Sequence, residues 1–265
     1  MQFIGMLKHF SPLLFGPKDT TILLLRHAEK VVVNDLSLDM SQPLTENGVN
    51  KARELGRFLK TVCKEVARPK SSHVGRCVQT AKMLMSSFAS VSEVEIEVDS
   101  SKILSYEGAY TTNNHEQVEN FRKYSIDDMF TRLFSGEILP GMRHAAEGTA
   151  ILLYELLHDF ETLHAPTCYI THDFMLALFV GTLTGTKVVT ENWFNYLEGV
   201  AFKKTPDNRL MLYWGTSCFD VTEKSNSLMQ TFSLTSSSYI TRRVANNPNE
   251  EADHPTTLAS THPST

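Results

Sequence analysis

Apolar and polar positions along this chain fall into short unbroken runs and helical stripes. Thr21-Ile22-Leu23-Leu24-Leu25 is mostly apolar and stops abruptly at Arg26-His27. Such a run reads as a strand buried on both faces, as in a parallel sheet. Thr167 to Thr171 has the same character and stops at His172-Asp173. Between the two runs the period changes. Val49, Ala52, Leu55, Leu59 and Val62 recur at helical spacing, after Thr45 as a cap and Glu46 in the first turn. Lys70 to Val74 reads as a short strand, and Gly75 to Phe88 as a helix with Val78, Ala81, Met85 and Phe88 on one face. Val94-Glu95-Ile96-Glu97-Val98 alternates and predicts a half-exposed strand. Segment 115–135, Ala150 to Leu163 and Phe174 to Leu183 are helical in pattern, the last stopped by Gly185. Tyr196 to Phe202 and Arg209 to Trp214 form a closing pair of strands around the turn Thr205-Pro206-Asp207-Asn208.

The ends are less regular. Residues 1–19 are apolar at Phe3, Ile4, Met6 and Leu7 but broken by Lys8 and His9, which excludes a signal-peptide core. They read as an N-terminal arm, with at most a short helical turn, packed on a domain that spans 20–220. Within that domain 100–142 reads as an insertion or lid. From 221 to 265 the pattern dissolves into a tail, largely disordered, whose last stretch is rich in Asn, Pro, Ser, Thr and Glu.

Composition narrows the function. A chain of 265 residues with 42% hydrophobic and 21% charged residues can bury the core of one α/β domain. A net charge of −5 argues against a nucleic-acid partner, which would call for a basic face. No run is long enough for stable membrane insertion. The four cysteines, Cys63, Cys77, Cys168 and Cys218, lack metal or redox spacing and read as reduced thiols, which points to the cytoplasm.

The chemistry gathers where the two buried runs end. Open α/β sheets bind ligands beyond the carboxyl ends of their strands, which is where Arg26, His27, His172 and Asp173 fall. The plainer reading is strands that simply end in polar residues. Four motifs add weight: Arg26-His27-Ala28-Glu29, then Leu44-Thr45-Glu46-Asn47-Gly48, then Ser71-Ser72-His73-Val74-Gly75-Arg76-Cys77-Val78-Gln79-Thr80-Ala81, and finally His172-Asp173. In that order and spacing, over roughly 20–215, the chain resembles the histidine phosphatase superfamily, the phosphoglycerate mutase-like fold. The resemblance implies a three-layer α/β/α sandwich with a mainly parallel central sheet. It implies a phosphomonoester hydrolase in which His27 attacks phosphorus and forms a covalent phosphohistidine.

Arg26, Arg76 and His172 would then bind the phosphoryl group, a guanidinium fork matching two of its oxygens. No metal or cofactor is implied. The acid that protonates the leaving oxygen is left open between two carboxylates. Glu107 stands in Ser105-Tyr106-Glu107-Gly108, where the mutase branch of the family carries its acid, and is equally readable as a solvated loop residue. Asp173 follows His172 as in the acid phosphatase branch. Gly141-Met142-Arg143-His144-Ala145-Ala146-Glu147 repeats the opening motif without a buried strand before it, so it reads as coincidence, or as a helix start that touches substrate. The partner is a small phosphorylated substrate or a phosphoprotein. Three other functions fit parts of the pattern. A non-catalytic phosphate-binding module needs only the pocket, and a phosphomutase needs a shielded intermediate. A metal oxygenase would use His27, His172 and a carboxylate, but the two arginines repel a divalent ion.

Overall fold

The computed structural model describes residues 2–16, 20–33 and 41–232. The strands in chain order are β1 (Thr21–Arg26), β2 (Lys70–Ser71), β3 (Asp99–Ser100), β4 (Thr167–Thr171), β5 (Gly199–Lys204), β6 (Leu210–Trp214) and β7 (Ser217–Asp220). The helices are α1 (Gln2–Leu14), α2 (Glu46–Val62), α3 (Gly75–Ala89), α4 (Asn114–Lys123), α5 (Ile126–Phe134), α6 (Ala145–Thr162), α7 (Asp173–Thr184) and α8 (Thr222–Thr231). The strands form one seven-stranded sheet in the order β3-β2-β4-β1-β5-β6-β7.

The sheet is mixed. Strands β3, β2, β4 and β1 are mutually parallel, as expected from buried runs separated by helices. Strands β5, β6 and β7 complete it as an antiparallel meander beside β1. Short connections allow this, one of them the Thr205–Asn208 turn in which Asn208 has φ 62°.

Alternation along the strands divides the core between two helical layers. Leu23, Leu25, Cys168, Ile170 and Ala201 belong to one buried cluster with side chains of α1, α2 and α3. Ile22 and Leu24, also buried, face the other way. On that side Phe202 meets Phe160 of α6 and Phe179 of α7, at ring separations of 5.6 and 5.9 Å. Helices α4 and α5 come from the predicted insertion. They cover α7, where Phe174 packs edge-on against Phe121 and Phe130.

Four regions differ from the sequence expectation. The N-terminal arm is a 13-residue helix that buries Phe3, Met6, Leu7, Phe10 and Leu14. The alternating segment at 94–98 is not a strand. A 3-10 turn at Glu93–Glu95 occupies its start, and the edge strand β3 forms only at Asp99–Ser100. Strand β2 ends at Ser71, so Ser72 to Val74 are a loop leading into α3. The tail expected from 221 begins as α8, and its remainder, 233–265, lies outside the described residues. Among the described residues no helix is long and apolar enough to cross a membrane.

Candidate active site

Strands β1, β4 and β2 are neighbours and run in one direction, so their ends share one edge of the sheet. Register pairs Arg26 with Thr171, and His27 N–H donates to the Thr171 carbonyl at 3.0 Å. His27 and His172 are therefore the first residues beyond two adjacent strands. Their rings lie 5.4 Å apart, edge to face. Ser72 emerges from β2 beside them, and its Oγ is 3.1 Å from His172 Nε2. Helices α3 and α7 both start here. Arg76 stands in the first turn of α3, and Asp173 opens α7. Their N-termini add partial positive charge to that of Arg26 and Arg76.

His27 is 2% exposed, and each of its ring nitrogens has one partner. Nδ1 is 2.8 Å from the Ala28 carbonyl, which can only accept. Nε2 receives the Nε–H of Arg76 at 3.0 Å, from a group that can only donate. The neutral ring is thus fixed with its proton on Nδ1 and a lone pair on Nε2. Burial, followed by the charge of Arg76, holds the His27 pKa well below its ordinary value; the Ala28 carbonyl opposes this, and Arg26 and Lys30 reinforce it. His172 is fully buried and is likewise held well below its ordinary value, by burial and then by His27, Arg76, Arg26 and His73.

The two arginines are anchored differently. Arg76 is 1% exposed and its Nη2 donates to the Tyr106 hydroxyl at 3.4 Å. Arg26 Nη1 donates to the Phe194 carbonyl at 2.7 Å, and Nη2 is 2.9 Å from Asp173 Oδ2. Its guanidinium lies 4.2 Å from the centre of the Tyr196 ring. Asp173 accepts three bonds, from Arg26, from Trp193 Nε1 at 3.1 Å and from its neighbour's backbone N–H at 2.8 Å. All three partners are donors, an arrangement complementary to a carboxylate. Glu107 is on a different segment. It is exposed, on the turn just after Tyr106, whose ring stacks on His172 at 4.1 Å. Within this cluster two buried polar atoms, Arg26 Nε and His172 Nδ1, have no hydrogen-bond partner among the described residues.

The other motif residues brace this cluster. Glu29 Oε1 accepts from Thr45 Oγ1 at 2.9 Å, and Oε2 from Asn47 Nδ2 at 2.6 Å. Gly48 lies so close to the Glu29 backbone that a Cβ would come within 2.2 Å of its carbonyl oxygen. Thr80 Oγ1 accepts from Ala28 N–H at 3.0 Å, and Gln79 Oε1 from Leu44 N–H at 3.0 Å. The glutamate, threonine and glutamine of the motifs thus hold the loops that present His27 and Arg76.

Arg143 and His144, whose motif reads as coincidence or as a helix start that touches substrate, make bonds within the protein. Arg143 bonds backbone carbonyls at 108–111, and His144 caps α6 by accepting from Ala146 N–H at 3.1 Å. Sequence reasoning passed over Tyr106, Tyr196, Trp193 and Ser72. Tyr106 and Ser72 sit inside quoted motifs, whereas the aromatics at 193–196 follow no period that marks them.

Comparison with known proteins decides the family. The profile of the histidine phosphatase superfamily (branch 1) matches residues 22–195. The chain belongs to this superfamily. Mycobacterial glucosyl-3-phosphoglycerate phosphatase is similar in structure, with TM-score 0.51 and 15% identity, over 75% of this chain and 100% of that one. Mycobacterial hydrolase 1 gives 0.50 and 15%, over 75% and 99%. Phosphoglycerate mutase from Bacillus anthracis gives 0.45 and 13%, over 82% and 98%. At these identities the likeness is one of fold. No curated protein sequence matches the chain.

Proposed function

We propose that this protein is a metal-independent phosphomonoester hydrolase that works through a phosphohistidine on His27. The observation that carries the reading is His27 itself. Its tautomer is fixed so that Nε2 holds a lone pair, beside a buried guanidinium and opposite a second histidine. A phosphoryl group entering the pocket brings oxygens that suit the unpartnered Arg26 Nε and His172 Nδ1. One oxygen takes over the Arg76 Nε–H, which releases the lone pair. Nε2 then attacks phosphorus in line, an N–P bond forms, and the ester P–O bond breaks. The developing charge meets Arg26, Arg76 and His172, which gains a proton more readily beside a dianion.

The leaving oxygen takes its proton from Glu107. The resulting carboxylate accepts a proton from the water that cleaves N–P, which restores both groups and releases phosphate. Asp173 is less suited to donate, since three donors already occupy it. Its part is to hold Arg26. With two arginines in the pocket, a divalent cation is disfavoured on charge. The substrate is a phosphomonoester on a small molecule or a protein. The four cysteines are unpaired and three are buried, which supports a reducing compartment such as the cytosol.

Hydrolysis of an aryl phosphate with chelator present tests the reading, with wild type compared to His27→Ala. We expect His27→Ala to lose at least about a thousandfold, and wild type trapped during turnover to carry an acid-labile, base-stable phosphoryl group. Turnover by His27→Ala near the wild-type rate would exclude the mechanism.

A further inference from the structure

The turn that carries Tyr106 and Glu107 lies between a 3-10 turn at Lys102–Leu104 and α4, with no strand or long helix to hold it. Its peptide groups still need partners. Some are internal. Gly108 N–H donates to the Ser105 carbonyl at 2.9 Å, and Ala109 N–H to that of Ile103 at 3.3 Å. Gly108 is pressed so close to this loop that a Cβ would come within 2.3 Å of the Ile103 oxygen. Four successive carbonyls of the turn also meet Arg143. Arg143 Nη1 donates to Gly108 O at 3.1 Å, to Ala109 O at 3.4 Å and to Thr111 O, while its backbone N–H donates to Tyr110 O at 2.9 Å.

Arg143 is itself fixed, because His144 is the N-cap of α6. The same helix grips the turn a second time. The Tyr110 ring lies on Gly148, where a Cβ would come within 2.2 Å of it, and the Tyr110 hydroxyl is 3.0 Å from Thr149 Oγ1. A chain of contacts therefore runs from α6 through Arg143 to the turn, and from the turn to Tyr106 on His172. Arg26 and Arg76 point their charge at the site. Arg143 spends its charge on backbone dipoles at 108–111.

We infer that Arg143 is a positioning residue for the proton-transfer step, setting the turn that presents Glu107 beside the phosphoryl pocket. The inference rests on the assignment of Glu107 as the acid. It separates two parts of the reaction. Phosphoryl binding uses Arg26 on β1, Arg76 on α3 and His172 just beyond β4. Leaving-group protonation uses the turn it holds.

The test compares wild type, Arg143→Ala, Arg143→Lys and Glu107→Gln on para-nitrophenyl phosphate, whose leaving group needs little protonation, and on an alkyl phosphate. Competitive inhibition by inorganic phosphate and amide exchange over 105–111 are measured alongside. Arg143→Ala should lose about 10- to 100-fold in kcat/KM, which covers transfer to His27 and not the later hydrolysis, on the alkyl ester and about threefold or less on the nitrophenyl ester. Its phosphate inhibition should stay near wild type while exchange at 105–111 quickens, and Arg143→Lys should recover part of both. Equal losses on the two esters, or weakened phosphate binding, overturn the inference and make Arg143 a general structural support. If Glu107→Gln is itself insensitive to the leaving group, the acid assignment fails and the inference falls with it. If Glu107→Gln is sensitive and Arg143→Ala is not, the assignment stands and the role given to Arg143 is wrong.

Discussion

Asp173 and Glu107 are the two carboxylates in question, one next to His172 in the chain and the other next to Tyr106, and their surroundings differ. Asp173 is enclosed by the Arg26 guanidinium, the Trp193 indole N–H and a backbone N–H at the start of α7. A carboxylate in that position orients a cation, and its loss leaves Arg26 with the Phe194 carbonyl and the Tyr196 ring as its anchors. Asp173→Asn should therefore weaken every phosphoester alike. A charge-assisted bond to Arg26 is worth about 1.5–3 kcal/mol, so kcat/KM should fall roughly 10- to 100-fold on nitrophenyl and alkyl phosphates together. Glu107→Gln should spare kcat/KM on the nitrophenyl ester, because that ratio ends with the phosphohistidine formed. The ratio of the two rates in each variant checks this, and a loss confined to the alkyl ester in Asp173→Asn would identify Asp173 as the acid. The sequence showed both residues but not their difference. The partner that distinguishes them, Trp193, lies 20 positions from Asp173 in a stretch without periodicity.

Among the elements, α1 departs most from its expectation. Its buried residues Phe3, Met6, Leu7, Phe10 and Leu14 follow helical spacing, so the information was present in the pattern. Lys8, His9 and Pro12 obscured it, and all three are compatible with a helix whose other face meets solvent. The first strand is tied to this helix, since Thr21 Oγ1 donates to the Leu14 carbonyl at 2.6 Å. Leu7 is fully buried under it, so Leu7→Ala should cost about 3 kcal/mol in urea unfolding. KM should be unchanged, and a cost under about 1 kcal/mol would mean that α1 contributes little to the core. The segment at 94–98 failed for the opposite reason. Its alternation is real, but Val94 is 80% exposed, and a capping box between Ser92 and Glu95 closes a 3-10 turn there. Ile96 and Val98 reach the core from that loop without a ladder of hydrogen bonds. The buried strands β1 and β4, the helices after them and the residues at their ends were legible, because an apolar run and its abrupt polar stop are local signals. The meander β5–β7 was legible as a closing hairpin, but β7 is only half-buried or exposed and has no apolar signature.

For the whole molecule, the site sets a condition on folding. The native state buries His27 and His172 as neutral rings beside buried Arg76, with both pKa values held well below 6.5. In the unfolded chain each histidine takes up a proton near its ordinary value of about 6.5. Below that pH the unfolded state binds more protons than the native one, so stability falls as pH falls. The slope reaches at most about 1.4 kcal/mol per pH unit for each histidine. Asp159 acts in the opposite sense in a more acidic window, since burial, opposed by Lys70, pushes its pKa above 3.8. It is unchanged in a comparison of wild type with His172→Asn. From pH 8 to pH 5 the melting temperature of wild type should fall progressively below about pH 6.5, and that of His172→Asn less steeply. Inorganic phosphate should reduce the difference, because a dianion between the histidines favours their protonated forms and binds only the native state. Parallel melting curves for the two proteins, with or without phosphate, would show that the buried histidine carries no such proton linkage.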